Sequence, residues 1–146
     1  MRQSDAQLEA VAVRGDSEVF YESERKENTL VLEILDACID AKGGSPLAFD
    51  VSTTSSVADS FVIVSGRSDR HVQGIANKVI SSMKMKGVDP YSVQGLEKGH
   101  WVIVDLVDVV LHVMYEPERD RYDLESLWLD AKAEIIHGNP RNALAS

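Results

Sequence analysis

Apolar residues recur along the chain with two different periods, and the helical period comes first. Asn28 or Thr29 can cap a helix, after which apolar positions follow the spacing of one buried helical stripe: Val31, Ile34, Leu35, Cys38 and Ile39. The sequence Lys42-Gly43-Gly44 predicts the end of this helix. A second stripe of the same kind precedes Gly87 and consists of Val72, Ile75, Ala76, Val79, Ile80 and Met83. Two amphipathic helices are therefore predicted.

The remaining pattern is typical of strands, which we predict over 47–51, 61–64, 91–94, 101–105 and 108–115. The segment 61–64 is apolar at every position, which indicates a strand that is covered on both faces and central in its sheet. Asp123 can cap a last helix, whose apolar positions are Leu124, Leu127, Trp128 and Ala131. The order α-β-β-α-β-β-β-α predicts an α/β fold with a mixed β-sheet packed against α-helices.

The two ends of the chain show neither period. Residues 1–27 carry seven acidic and four basic side chains with scattered apolar positions, which predicts a flexible acidic N-terminal tail. The sequence Gly-Asn-Pro-Arg-Asn after His137 breaks regular structure, so residues 134–146 are predicted to be a frayed C-terminal tail. The folded domain is expected to span residues 28–133.

The last two predicted strands form a hairpin whose faces differ in character. With Leu106 and Val107 as the turn, Asp105 lies opposite Asp108 and Trp101 opposite His112. One face is apolar and is expected to cover the helices: Val102, Val104, Val109, Leu111, Val113 and Tyr115. The other face mixes aromatic, aliphatic and acidic groups: Trp101, Ile103, Asp105, Asp108, Val110, His112 and Met114.

This mixed face suits a partner better than it suits the interior or open solvent. Burial without partners would cost its polar groups roughly 1–3 kcal/mol each, whereas solvent gives its large apolar groups no role. Interfaces commonly surround such aromatic anchors with polar groups. We therefore expect a partner-binding face. The alternative is that the C-terminal segment folds back over it.

Charge and cysteine content narrow the kind of partner. The 146 residues carry a net charge of −9, which disfavours unaided binding to nucleic acid or to anionic membranes, and residues 97–125 contain eight acidic but three basic side chains. A basic protein is the expected partner, although acidic loops can also serve solubility alone. Cys38 is the single cysteine, so a disulfide within the chain is excluded and a reducing cytoplasm fits best. No apolar run approaches the length of a membrane span.

An enzymatic alternative rests on two features. Ser65-Gly66-Arg67-Ser68 follows a strand and precedes a helix, as do loops that hold phosphates, and Asp105 with Asp108 could hold Mg²⁺. Together these features describe a Mg²⁺-dependent nucleotide-binding or nucleotidyltransferase-like enzyme. A simpler interpretation is a strand-to-helix turn in which Ser68 caps the helix. The four histidines show no metal-ligand spacing, and no serine, threonine or cysteine lies in a recognisable nucleophile motif, so we expect no catalytic residues, no metal and no cofactor.

Three segments resemble one known family in the same order. They are Ser60-Phe-Val-Ile-Val-Ser-Gly-Arg-Ser68 followed by His71, then Asp105-Leu-Val-Asp-Val-Val-Leu-His-Val-Met114, and finally Tyr122-Asp-Leu-Glu-Ser-Leu-Trp128. These segments resemble the Iojap-like ribosomal silencing factors over roughly residues 29–130. Two positions depart from the family pattern, because Arg67 stands where Thr is usual and Val107 where the hairpin turn usually has Gly.

The resemblance implies a fold like that of nucleotidyltransferases without their catalytic apparatus. It also implies a translational repressor that binds the large ribosomal subunit through a basic ribosomal protein at the intersubunit face and so blocks association with the small subunit. Self-association is a property of the family, and the mixed hairpin face could equally serve a homodimer. The residues expected to bind the partner are Trp101, Ile103, Asp105, Asp108, His112, Met114, Tyr122, Asp123, Glu125 and Trp128.

Overall fold

A computed structural model describes residues 22–56 and 58–139 of the chain. The chain divides into two compact units, and Leu30 is the last residue of the first. Of that first unit the structure describes only the beginning of one helix. The second unit runs from Val31 and contains the sheet and the remaining helices.

The described residues form four helices and six strands. The helices are α1 (Glu22–Asp40), α2 (Asp69–Met85), α3 (Glu116–Tyr122) and α4 (Leu124–Asp130). The strands are β1 (Gly44–Asp50), β2 (Ser60–Gly66), β3 (Ser92–Gln94), β4 (Trp101–Asp105), β5 (Val109–Tyr115) and β6 (Glu134–His137). The predicted α/β fold with a mixed sheet is confirmed. Within the described residues, none of the helices is both long and apolar enough to cross a membrane.

The six strands form one sheet in the order β3-β4-β5-β2-β1-β6. Strands β2 and β5 pair in parallel, and every other neighbouring pair is antiparallel. The entirely apolar segment 61–64 lies in β2, which has neighbours on both sides and side chains buried on both faces. Its predicted central place in the sheet is confirmed.

The helix ends are set by the residues that the sequence indicates. The Gly43 N–H donates to the Cys38 carbonyl over 2.8 Å while Lys42 adopts a φ of 64°, so the left-handed position is held by a lysine. Gly43 itself is required for close approach, because a Cβ there would lie 2.5 Å from Cγ2 of Val64. Gly87 ends α2 with a φ of 83°.

Helix α2 and the segment α3–α4 cover opposite faces of the sheet. The apolar stripe of α2 is buried against the face that carries Val102, Val104, Leu111 and Val113, as the hairpin pattern predicted. On the other face, Leu124, Trp128 and Leu129 pack on a buried cluster consisting of Leu47, Phe49, Val51, Ile63, Met114 and Ala133. The mixed face is therefore covered in part by the chain's own C-terminal segment.

The hairpin register differs from the predicted one by two residues. Trp101 pairs with Met114, Ile103 with His112 and Asp105 with Val110, so the predicted pairs Asp105–Asp108 and Trp101–His112 are wrong. A shift of two leaves every side chain on its predicted face. The shift arises because the turn lies at Val107 and Asp108, with the Asp108 N–H donating to the Leu106 carbonyl over 3.0 Å. Val107 accordingly takes a φ of 76°, an unfavourable value for a β-branched residue.

Three elements depart from the predicted boundaries. Helix α1 begins at Glu22 instead of near residue 28, and α3 was not predicted. The segment 134–137, predicted to be frayed, forms β6 and pairs with β1. Residues 1–21 and 140–146 lie outside the described part of the chain, so the tails predicted there stay predictions.

Candidate partner-binding face

Five rings cluster on the sheet face beneath α3 and α4. The Phe61 ring meets the Trp128 ring edge to face, with 4.6 Å between centroids, and lies 5.2 Å from the His112 ring. The Trp101 ring lies 4.9 Å from the Tyr122 ring and 6.0 Å from His112. Such tilted and edge-to-face pairs are favourable beyond the area that they bury. The cluster thereby connects β2, β4 and β5 to both short helices.

His112 lies at the centre of this cluster as a buried polar group. Its Nδ1 accepts a hydrogen bond from Nε1–H of Trp101 over 3.0 Å. Burial lowers the pKa of His112 to about 4, so the ring is neutral near pH 7 and its proton is carried on Nε2. That Nε2 is buried and has no hydrogen-bond partner among the described residues. His112 thus fixes the indole of Trp101 in one orientation and is itself enclosed.

Helix α3 is anchored to the sheet by a buried ion pair. Nε of Arg119 donates to Oε2 of Glu125 over 2.7 Å, and both side chains are at most 3% exposed. Nη1 of Arg119 also donates to the Gly44 carbonyl and to Oγ of Ser65, each over 3.1 Å. The network joins α3 and α4 to the ends of β1 and β2. It therefore determines where the two helices lie on the sheet face.

Asp123 serves as the boundary of both helices. Its backbone takes a left-handed φ of 49° at the end of α3, and its N–H donates to the Arg119 carbonyl. Its side chain accepts from the Ser126 N–H over 3.4 Å and from the Ser126 hydroxyl over 2.7 Å, which caps α4. The predicted N-cap of the last helix is confirmed. The bend at Asp123 leads α4 across the sheet face.

The structure separates the ten predicted contact residues into three groups. Met114, His112 and Glu125 are buried and so not accessible to a partner in this conformation, and their part in partner binding stays a prediction. Trp128 packs on Phe61 and Asp123 caps α4, so both act by placing the helix. Trp101, Ile103 and Asp105 of β4 are partly buried, whereas Asp108 at the turn and Tyr122 at the end of α3 are exposed.

The accessible residues of this region combine apolar and acidic groups. The large exposed apolar side chains are Tyr122 at the end of α3, which is 50% exposed, and Leu127 on α4, which is 59% exposed. We define the docking face as Trp101, Ile103, Asp105, Tyr122 and Leu127. The carboxylate of Asp105 accepts the Val107 N–H over 2.8 Å, which holds its negative charge at the hairpin end of this face. The docking face is smaller than the face that the sequence predicted, because the C-terminal segment covers the remainder.

The candidate nucleotide site is not assembled. Ser65 and Gly66 lie beside Met114 and Tyr115 at one end of the sheet, whereas Asp105 lies beside Val110, four residues away along β5 and so about 13 Å distant. The loop itself is also occupied, because Oγ of Ser68 accepts the His71 N–H over 3.0 Å. The capping interpretation of Ser68 is confirmed, and these residues form no joint phosphate and metal site.

Three residues of this region were not among the ten predicted contact residues, namely Leu127, Phe61 and Arg119. Leu127 and Phe61 were assigned to the interior from their apolar stripes alone, and a stripe does not show which of its members stays exposed. Arg119 lies in the polar run of α3, where nothing marks a buried cation. Its one signal is Glu125, an acidic residue within an otherwise apolar helix face, which requires a buried partner.

Comparison with known proteins agrees with this architecture. A family model described as "Ribosomal silencing factor during starvation", RsfS, matches residues 23–145. The ribosomal silencing factor RsfS of Bacillus subtilis is 42% identical over 95 residues, which are 65% of this chain and 80% of that protein. A crystal structure from Bacillus halodurans superposes with a TM-score of 0.67 at 31% identity, over 75% of this chain and 98% of that one.

A more distant relative is the mouse protein named mitochondrial assembly of ribosomal large subunit protein 1. It is 36% identical over 74 residues, which are 48% of this chain but only 32% of the mouse protein. The family match covers most of the chain and includes the sheet, both helical layers and the aromatic cluster. The chain belongs to the RsfS family of ribosomal silencing factors.

Proposed function

We propose that this chain represses translation by binding a basic protein of the large ribosomal subunit through the docking face and obstructing association with the small subunit. The observation that carries the proposal is the docking face itself, which has two exposed apolar side chains on the short helices, Tyr122 and Leu127, and the acidic Asp105 at its hairpin end. Aromatic and aliphatic anchors with charged surroundings are typical of protein interfaces. The RsfS relatives and the mouse protein named for mitochondrial assembly of the ribosomal large subunit support the ribosome as the target.

The proposed mechanism is occupancy of a surface. A bound domain of this size fills space on the large subunit that the small subunit would need, so affinity and concentration set its potency. The acidic side chains suit a basic ribosomal protein and accelerate the encounter at low salt. This function requires a cytoplasmic location and involves no reaction chemistry. The candidate nucleotide residues, which lie apart in the fold, play no part in it.

The test replaces one exposed anchor and compares it with a matched residue elsewhere. Leu127→Ala removes an apolar contact from the docking face, while Leu32→Ala removes an equally exposed leucine, 57% against 59%, from α1. Because both side chains are largely exposed, both variants should fold with little loss of stability. We expect Leu127→Ala to weaken binding to purified large subunits by at least fivefold, or about 1 kcal/mol. Leu32→Ala should bind as the wild type does.

Two measurements check these expectations. Co-sedimentation of the full chain with large subunits gives the affinity, and addition of small subunits shows whether the bound chain prevents 70S formation. Equal affinities for the two leucine variants would refute the docking face. Binding without any loss of 70S particles would refute the steric mechanism. Sedimentation velocity of the free chain tests the expected homodimer, which should dissociate in Leu127→Ala if two copies meet through this face.

A further inference from the structure

The basic side chains of this acidic protein are unevenly distributed. Arg67 and Arg70 lie three positions apart at the start of α2, and both are exposed. Lys42 follows α1 and Lys98 precedes β4, and these side chains are exposed as well. We define Lys42, Arg67, Arg70 and Lys98 as the basic patch. Among the described residues none of the four has an ion pair, and neither has Lys84 or Lys132, which lie singly elsewhere, whereas Lys78, Lys86 and Arg121 are each paired with a carboxylate.

Hydrogen bonds hold the three loops of the basic patch together. His71 accepts the Arg67 N–H at Nδ1 over 3.0 Å, so its Nε2 carries the proton and donates to the Ala41 carbonyl over 2.9 Å. This one ring ties the loop of Arg67 to the turn that contains Lys42. Gln73 donates from Nε2 to the carbonyls of Leu96 and Glu97, each over 2.9 Å.

The third loop also lies directly against the first turn of α2. A Cβ on Gly99 would approach the Asp69 carbonyl oxygen to 2.6 Å, and Nε2 of His100 lies 3.4 Å from Oδ2 of Asp69. The carboxylate of Asp69 thus has a partner of its own, which leaves Glu97 as the other acidic group of these loops. The four cations of the basic patch are therefore carried by three loops that His71, Gln73 and the close contact at Gly99 hold together.

The position of the basic patch relates it to the docking face. Lys98 stands three residues before Trp101, and the His100 carbonyl accepts the Tyr115 N–H over 2.8 Å, so the patch lies at the end of the sheet where β4 begins and β5 ends. Helix α2, however, covers the sheet face opposite to α4. A partner protein bound at Trp101 and Tyr122 would extend past this end of the sheet. The part of the large subunit next to that protein would then lie against the basic patch.

We infer that the basic patch contacts phosphates of ribosomal RNA that adjoin the protein bound by the docking face. This inference rests on the proposed function. Exposed cations of this kind recognise phosphate, and Arg67 and Arg70 can each donate two parallel hydrogen bonds to it. Phosphate contacts position a protein without reading sequence, which agrees with the absence of any nucleic-acid motif in the chain. The net charge of −9 prevents the patch from capturing RNA unaided, so the contact forms only after protein docking.

The test measures how binding to purified large subunits depends on KCl concentration. Arg67→Gln combined with Arg70→Gln removes two cations from the basic patch and retains the Arg67 N–H that bonds to His71. The matched control, Lys84→Gln combined with Lys132→Gln, removes two exposed cations from other places on the surface. We expect the arginine variant to reduce the slope of log K against log[KCl] by roughly 1.4 to 1.8, because each of the two lost phosphate contacts removes about 0.7–0.9. The control should keep the wild-type slope.

Crosslinking identifies the partner of the basic patch directly. Ultraviolet crosslinking of the full chain bound to large subunits, followed by mass spectrometry, should join nucleotides to the segment 66–71. Nucleotides joined to other segments but not to 66–71, or equal slopes for the two double variants, would overturn the inference and leave the docking face intact. Failure of the wild-type chain to bind large subunits would overturn the proposed function and this inference together.

Discussion

Trp101 and His112 form a mutually dependent pair, in which the indole N–H donates to Nδ1 of the imidazole over 3.0 Å. The two residues lie diagonally across β4 and β5, since Trp101 pairs with Met114 and His112 with Ile103. The hydrogen bond requires a neutral imidazole, because a protonated ring has no acceptor. The orientation of the largest side chain on the docking face therefore depends on the protonation of a buried group.

The buried imidazole predicts a pH dependence of stability. The pKa of His112 is about 4 in the folded chain and 6.5 in the unfolded chain. Between these values only the unfolded chain takes up the proton, so stability is complete above pH 6.5 and falls as the pH decreases towards 4. The loss is on the order of 3 kcal/mol. Urea unfolding between pH 4 and 7 measures it.

The matched variants isolate the contribution of His112 to that curve. His112→Gln keeps an acceptor for the indole but does not titrate, so its stability should change less with pH than that of the wild type. His100→Gln removes an exposed histidine and should leave the slope nearly as it is. Parallel curves for His112→Gln and the wild type would show that His112 is not buried in its neutral form.

Replacement of Trp101 is expected to affect folding as well as binding. Trp101→Ala removes packing against the aromatic cluster and leaves Nδ1 of His112 without its donor. We expect a loss of at least about 2 kcal/mol in the free energy of unfolding. Trp101→Phe keeps the ring near Tyr122 and should lose about 1 kcal/mol. Denaturant titration of both variants checks the order. An unchanged stability of Trp101→Ala would mean that Trp101 is free to act as a surface anchor alone.

The buried ion pair predicts a large effect from a single atom change. Glu125→Gln removes the carboxylate that pairs with the buried Arg119 over 2.7 Å, which should destabilise the fold by about 3–5 kcal/mol. Glu118→Gln makes the same change in a pair with the exposed Arg121, and it should cost at most about 1 kcal/mol. Urea midpoints compare the two. Similar losses in both variants would contradict the buried network.

The hairpin turn predicts a substitution that stabilises the chain. Val107 holds a φ of 76° and is 58% exposed, so Val107→Gly relieves an unfavourable conformation and sacrifices little burial. We expect a gain of about 0.5–1 kcal/mol. Val93→Gly, in the edge strand β3, should instead lose about 0.5–1 kcal/mol, because glycine weakens a strand. Thermal unfolding separates the two cases. A destabilised Val107→Gly would contradict the turn described here.

The sequence pattern predicted those parts of the fold in which the structure of a residue depends mainly on its neighbours along the chain. The apolar segment 61–64 identified a central strand, and Ser68, Gly87 and Asp123 marked helix ends through their own hydrogen bonds or backbone freedom. The two faces of the hairpin were also predicted, although the register was not. Register depends on the turn, and a β-branched residue at a positive φ is improbable from sequence alone.

The elements that were missed depend on contacts between distant segments. Strand β6 has four exposed residues next to Gly138, and it is a strand because Ala48, Phe49 and Asp50 of β1 pair with it. Helix α3 has no apolar stripe, and its one buried residue is Arg119. The extent of the docking face could not be predicted for the same reason. The alternation of side chains in the hairpin does not show how much of one face the C-terminal helices will cover.

Asp123 is at once the C-cap of α3 and the N-cap of α4, so no linker residue separates the two short helices. Because the same backbone unit terminates one helix and its carboxylate begins the next, neither helix can rotate without disturbing the other. Tyr122 and Leu127 therefore keep a fixed position relative to each other, and Arg119 fixes both helices to the sheet. Substitutions at positions 122 and 127 can change the two contacts one at a time, whereas an insertion at Asp123 would displace both side chains together.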